Sequence, residues 1–177
     1  MASASSKRCA ACARWARLLH SRLVSQARGN DRETPRGEEF GQKFTQVTDK
    51  ELLEIAINVA KRAYAPYSKF FVGAALVAKD GRVFEGCNVE NISFGLTICA
   101  ERNAVFAAVA AGCREFTKIV IAADTQEPAS PCGACRQVLA EFDPDMEVIL
   151  GTFRGNTIAY RLSELLPRPC TGILDRP

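Results

Sequence analysis

Residues 118–152 read KIVIAADTQEPASPCGACRQVLAEFDPDMEVILGT. The opening run, 118–123, is short, apolar and rich in β-branched residues, as a buried strand is. A loop follows over 124–130. Pro131 then opens a helix that runs to about Phe142, since a missing N–H costs nothing in a first helical turn. Residues 146–152 form the next strand. Strand, helix, strand is the repeating unit of an α/β domain, and the rest of the chain is read outward from it.

Upstream, residues 98–111 carry Ala104, Ala107, Ala108, Ala110 and Ala111, a helix packed closely by its neighbours, and Gly112 ends it. Before it, Asp80-Gly81 is a hairpin turn between strands over 71–78 and 83–89, joined to the helix by a loop over 90–97. Thr48 with Glu51 is a capping-box pattern. Leu52, Leu53, Ala56, Val59, Ala60 and Ala63 continue it as an apolar helical stripe that Pro66 stops. Downstream, Arg154-Gly155-Asn156 is a turn into a strand over 157–161, and a short helix over 162–166 ends at Pro167. The order α-β-β-α-β-α-β-β predicts a three-layer α/β domain on one sheet.

The two ends differ from this body. Residues 1–30 hold Lys7, Arg8, Arg14, Arg17, Arg22 and Arg28 and no acid, a charge of +6 within a chain of net +3, so residues 31–177 stand at −3. Trp15, Leu18, Leu19 and Leu23 share one helical face there. We read 1–46 as a basic extension, either disordered or a transit peptide, 47–170 as the folded domain and 171–177 as a tail. The expected location is intracellular, cytoplasmic by default, with mitochondrial or other organellar targeting open. A mildly acidic body gives no support for a nucleic-acid partner. No apolar run approaches the roughly 20 residues of a membrane span, so no membrane partner is expected.

Eight cysteines in 177 residues call for a role. Without a secretory h-region they read as thiols in a reducing compartment. Cys99-Ala100-Glu101-Arg102 and Pro131-Cys132-Gly133-Ala134-Cys135 each fall where a helix begins. Helix starts offer unpaired N–H groups and partial positive charge, which favour the thiolate that binds metal. Cys99, Cys132 and Cys135 converging on one ion would leave the fourth tetrahedral position open, as in a catalytic zinc site. The only histidine, His20, lies in the extension, so a site in the domain must be built on thiolates. Glu101 can face the open position as a proton carrier, and Arg102 can offset the surplus negative charge. Three other readings stand beside this one. Cys132 and Cys135 also read as a redox pair or as two buried thiols, and Cys9, Cys12, Cys132 and Cys135 as a structural zinc site. Cys87 and Cys113 read as small buried apolar residues.

These segments resemble the zinc deaminase signature, a first ligand followed by x-E and then P-C-x-x-C. Ala65-Pro66-Tyr67-Ser68-Lys69-Phe70-Phe71-Val72-Gly73-Ala74-Ala75, Gly86-Cys87-Asn88-Val89-Glu90-Asn91 and Glu164-Leu165-Leu166-Pro167 narrow the resemblance to the small three-cysteine branch of the cytidine deaminase family, over about 48–168. The resemblance implies a three-layer α-β-α domain with a mixed five-stranded sheet. It implies hydrolytic deamination of free cytidine and deoxycytidine to uridine and deoxyuridine in pyrimidine salvage, a hydrolase acting on the C–N bond of a cyclic amidine. One zinc ion per subunit and a homotetramer follow from it too. Cys99, Cys132 and Cys135 become the metal ligands and Glu101 the proton shuttle. Asn88 and Glu90 become the ribose partners, and Phe70 packs on the pyrimidine ring. An amide and a carboxylate suit sugar hydroxyls, although both residues also suit a turn after a strand. Two positions depart from the family pattern. Cys170 stands where an aromatic often reaches a neighbouring subunit, and Phe94 stands where tyrosine is frequent. Blasticidin S-type deaminases share the zinc motifs, but the Asn88–Glu90 pair argues for an ordinary ribose. Neither a polynucleotide editor nor a non-catalytic zinc protein fits as well, given the acidic body and Glu101.

Overall fold

Thr48 starts the first helix as its spacing to Glu51 predicts. In the computed structural model, which describes residues 47–170, the Thr48 hydroxyl accepts from Glu51 N–H at 3.3 Å and the Glu51 carboxylate accepts from Thr48 N–H at 2.8 Å. The expectations for the extension over 1–46, including Cys9, Cys12 and His20, and for the tail over 171–177 lie outside the described residues. Helix α1 runs Asp49–Ala60 and buries Leu52, Leu53, Ala56, Val59 and Ala60. It ends well before Pro66. Beyond it Tyr64 pairs in an extended conformation, donating to Asn88 O at 3.0 Å and accepting from Glu90 N–H at 2.7 Å, which helical backbone could not do.

Strands β1 (Val72–Ala78) and β2 (Val83–Cys87) form the expected hairpin, with Gly81 at φ 87° in its turn. β2 stops at Cys87 rather than at Val89. Val89 instead bridges Tyr64 on one side and Ile98 on the other. The loop expected after it contains a short 3-10 turn, Phe94–Leu96. Helix α2 (Ala100–Ala110), β3 (Phe116–Ala123), helix α3 (Gly133–Ala140), β4 (Glu147–Thr152), β5 (Thr157–Arg161) and helix α4 (Leu162–Leu165) follow. The five strands lie in the order β2-β1-β3-β4-β5. β3 and β4 are parallel, and the other neighbouring pairs are antiparallel. The sheet is therefore mixed, and its one parallel pair is the strand–helix–strand stretch quoted first.

Period-two alternation splits the strand residues between two faces. Ala75, Val120, Ala122 and Ile149 pack with Leu52, Leu53 and Ala56 of α1. Ala74, Leu76, Ile119, Ile121, Val148 and Leu150 pack on the other face, with Ala104, Val105, Ala108, Leu139, Ala140 and Leu162 from the remaining helices. Each fully buried Leu, Ile or Val contributes roughly 1.5–3 kcal/mol. The result is the expected α-β-α sandwich.

Two glycines let helices press onto the sheet backbone. A Cβ on Gly73 would lie 2.0 Å from Ala56 O, and one on Gly86 would lie 2.2 Å from Ala100 O and 2.4 Å from Ala104 N. Gly86 thus sets how closely the start of α2, which carries Cys99 and Glu101, sits against β2.

Candidate active site

Cys99 and Cys132 are the N-cap residues of α2 and α3, with extended backbone (φ −72°, ψ 158° and φ −67°, ψ 162°) and no side-chain capping bond. Their sulfurs are therefore free to face each other rather than their own helices. Ile98 fixes Cys99 from behind by a reciprocal pair with Val89, at 2.9 and 3.0 Å. Arg136 fixes Cys132 from the other side, donating to Pro131 O at 2.8 Å, Ser130 Oγ at 2.9 Å and Leu165 O at 2.8 Å.

The structure brings Cys99, Cys132 and Cys135 together, all three sulfurs within 4.8 Å of one another. Cys99 Sγ lies 3.8 Å from Cys132 Sγ, which lies 3.5 Å from Cys135 Sγ. All three are free thiols, and the separations are far beyond a disulfide bond of about 2.05 Å. Zinc–sulfur bonds of about 2.3 Å in a tetrahedron give sulfur–sulfur edges of about 3.8 Å. The donor set thus fits zinc in both chemistry and spacing.

The electrostatics point the same way. The Cys99 thiol is lowered to about 5, first by the hydrogen bond from Cys135 and further by Arg102 and Cys132. Cys135 moves strongly upward through that same bond and through burial. Neighbouring thiols and Arg102 thus favour loss of a proton from Cys99, and a bound divalent cation would replace the protons that the other thiols retain. Arg102 donates to Cys99 Sγ at 3.4 Å and to Thr97 O at 3.1 Å. Its buried Nε has no hydrogen-bond partner among the described residues.

Glu101 is 4% exposed. Burial pushes its carboxyl upward, and the charge of Cys99 pushes the same way. A carboxyl that keeps its proton more readily than usual is suited to proton transfer near neutral pH. Glu101, Cys99 and Cys132 line a cavity of about 220 Å³ whose far wall carries Phe70, Asn88 and Glu90. Of the residues expected in the site, six line this cavity, while Cys135 and Arg102 do not line it and touch it only through Cys132 and Cys99.

The far wall is more internally bonded than its sequence suggests. Asn88 Oδ1 accepts from Val72 N–H at 2.9 Å, and its Nδ2 donates to Phe70 O at 2.8 Å. Glu90 Oε2 accepts from Tyr67 N–H at 2.9 Å and Ser68 N–H at 3.3 Å, and Oε1 accepts from the Ser68 hydroxyl. The Ser68 bond is the main cause that holds the Glu90 carboxyl below its ordinary value.

Ser130-Pro131-Cys132-Gly133-Ala134-Cys135-Arg136-Gln137 resembles the family as a stretch, but sequence reasoning gave Arg136 no role of its own. Nor did it give a role to Gln137, whose amide accepts from Cys170 N–H at 2.7 Å and donates to Cys170 O at 3.0 Å. Cys170 is thus held by its backbone with its side chain exposed. Phe94 is exposed and its ring sits 5.8 Å from that of Tyr67. Cys113 is buried as expected, whereas Cys87 is only partly so.

Residues 46–152 match the family model for the cytidine and deoxycytidylate deaminase zinc-binding region. A cytidine deaminase of Halalkalibacterium halodurans is 52% identical over 117 residues, 66% of this chain and 89% of that protein. A blasticidin-S deaminase of Bacillus cereus is 30% identical over 127 residues, covering 67% of this chain and 89% of that protein. The crystal structure of cytidine deaminase from Burkholderia pseudomallei matches with a TM-score of 0.68 at 49% identity, covering 70% of this chain and 99% of that one.

Proposed function

The chain belongs to the cytidine and deoxycytidylate deaminase family, and from that premise we propose how its residues divide the work. The reaction is zinc-dependent hydrolytic deamination of cytidine, a step of pyrimidine salvage. Free cytidine and deoxycytidine are the substrates, and uridine and deoxyuridine the products.

Cys99, Cys132 and Cys135 hold the zinc ion. When bound, zinc supplies Lewis-acid chemistry that makes water acidic enough to act as a nucleophile near neutral pH. Glu101 takes the proton released by the attacking water and delivers it to ring N3. The C4–O bond forms as N3 is protonated and makes C4 tetrahedral, and Glu101 then carries the second water proton to the exocyclic nitrogen. The C4–N bond then breaks, ammonia leaves, and C4 becomes the carbonyl carbon of the product. Arg102 stabilises the Cys99 thiolate. Asn88 and Glu90 bind the ribose hydroxyls and Phe70 packs on the pyrimidine, so substrate lies across the cavity with its base toward the sulfurs. The observation that carries this reading is Glu101, a buried carboxyl on the same cavity as the three-sulfur cluster.

The unit that acts is a homotetramer of the 47–170 domain. Ile92, Phe94 and Leu96, with Phe106 and Val109 on α2, are large apolar side chains left exposed, a surface suited to subunit packing. Among the described residues no helix is long and apolar enough to cross a membrane. Unpaired described thiols suit a reducing, intracellular setting, cytoplasmic by default.

Ultraviolet absorbance tests the reaction. Zinc-loaded protein should convert cytidine to uridine, and Glu101→Ala should lose roughly 100- to 10,000-fold in kcat while keeping its zinc. Blasticidin S, run alongside, should be a poor substrate. Efficient turnover of it with none of cytidine would overturn the assignment of the ribose-binding pair.

A further inference from the structure

The wall opposite the sulfurs contains a continuous chain of bonds that no substrate role requires. Ser68 Oγ donates to Glu90 Oε1 and accepts from Phe70 N–H at 3.0 Å. Phe70 O is held in turn by Asn88 at 2.8 Å. Both main-chain polar atoms of Phe70 are therefore tied to the residues that meet the sugar, one directly and one through Ser68. Between Ser68 and Phe70 stands Lys69 at φ 59°, the one non-glycine residue of positive φ among the described residues. A lysine in left-handed backbone is strained, and such strain persists only where the surroundings over-determine it. Here they do, since Tyr67 N–H and Ser68 N–H are both held by Glu90 on one side of Lys69, and Phe70 by Ser68 and Asn88 on the other.

We propose that Ser68 is a positioning residue for nucleoside binding: its hydroxyl couples the Glu90 carboxylate to the Phe70 backbone, so that the sugar contact and the ring contact are set by one hydrogen-bond chain. This rests on the reading that Glu90 and Phe70 meet substrate. Glu90 is nearly buried, and three of its four lone-pair directions are taken by Tyr67 and Ser68. The remaining one is then aimed by the hydroxyl of Ser68. Removing that hydroxyl leaves Phe70 N–H without its acceptor and frees one carboxylate oxygen to turn.

Steady-state kinetics with a double-mutant cycle test the coupling. Ser68→Ala should raise KM for cytidine roughly 10-fold, the size of one lost charge-assisted hydrogen bond. Its kcat should stay within about twofold, because the chemistry at Glu101 is untouched. Ser68→Thr, which keeps the hydroxyl, should restore most of the KM. In a Glu90→Ala background the Ser68→Ala change should add less than about twofold, since residues acting through one network are not additive. Lys69→Val, a β-branched residue at a left-handed position, should raise KM more than Lys69→Gly. An unchanged KM in Ser68→Ala, with KM raised in Glu90→Ala and Phe70→Ala, would sink the coupling. So would equal effects of Ser68→Ala in the two backgrounds. No change of KM in Glu90→Ala and Phe70→Ala would instead remove the sugar and ring assignments beneath it.

Discussion

On the sulfur side of the cavity, three donors come from two helix starts, and a few neighbouring residues specify each start. On the sugar side, Asn88 and Glu90 reach the 67–72 loop by bonds that span sixteen to twenty-three residues of sequence. The sulfur side is thus locally encoded, and its side chains are left for the metal because neither N-cap cysteine caps its own helix. The sugar side is encoded across the fold, and the same polar atoms that we propose to meet substrate also hold their wall together. Mutations should therefore separate chemistry from stability on one side and fail to separate them on the other.

Cys135→Ala is expected to show the largest effect. Cys135 is fully buried and sits 3.5 Å from Cys132. Zinc content measured by atomic absorption should collapse and turnover should fall to the assay background. The variant should still melt cooperatively, and so should the metal-free wild type. Loss of folding in the variant, with the metal-free wild type still folded, would mean that the sulfur side also serves as packing, and the contrast between the two walls would weaken.

Arg102→Ala comes next. Its guanidinium meets Cys99 Sγ and Thr97 O, and burial of the cluster makes that charge count. Outer-shell partners of metal ligands are typically worth about 10- to 100-fold in metal affinity. Competition with a chromophoric chelator should show a loss of that size. Unaltered affinity and unaltered rate together would leave Arg102 as no more than a cap on the Thr97 carbonyl.

Asn88→Ala should break the pattern of single effects. It strips the acceptor from Val72 N–H and the donor from Phe70 O, at a position 7% exposed. Leaving such groups unpaired costs roughly 2 kcal/mol. Denaturant unfolding and KM should both move, whereas the Arg102 variant should move neither by much. A raised KM with unchanged stability would show that water replaces the lost bonds, and that the wall is less tightly braced than its geometry implies.

The same contrast explains what could be read before the structure. The Thr48–Glu51 cap, the Asp80-Gly81 turn and the apolar runs of β3 and β4 are local patterns with local causes, and all three appear as expected. The sulfur cluster was legible because cysteine spacing and helix starts are both short-range signals. Asn88, Glu90 and Phe70 could be assigned roles only through resemblance to a family. No periodicity encodes a carboxylate that accepts from a serine twenty-two residues away, so the Glu90–Ser68 bond and the brace around Phe70 stayed hidden. The early end of α1 has the same origin. Pro66 suggested a later stop, but the long-range pairing of Tyr64 with Asn88 and Glu90 decides it.

The smallest effect belongs to a region that touches neither wall. Thr48 caps α1, which covers the sheet face opposite α2 and α3. Thr48→Ala should lower stability by about 1 kcal/mol, the usual cost of a lost N-cap. KM, kcat and zinc affinity should not change. The reciprocal bond from Thr48 N–H holds the Glu51 carboxyl below its ordinary value, and the hydroxyl bond acts in the same sense. A depressed carboxyl stabilises the fold above its unfolded pKa, and that contribution disappears as pH falls through the lower folded value. The stability gap between wild type and Glu51→Gln should therefore be flat at neutral pH and close only below about pH 4, near the ordinary carboxylate range. If Thr48→Ala shifted KM as much as Asn88→Ala does, general loosening of the domain would explain both, and the sugar side would lose its claim to a brace of its own.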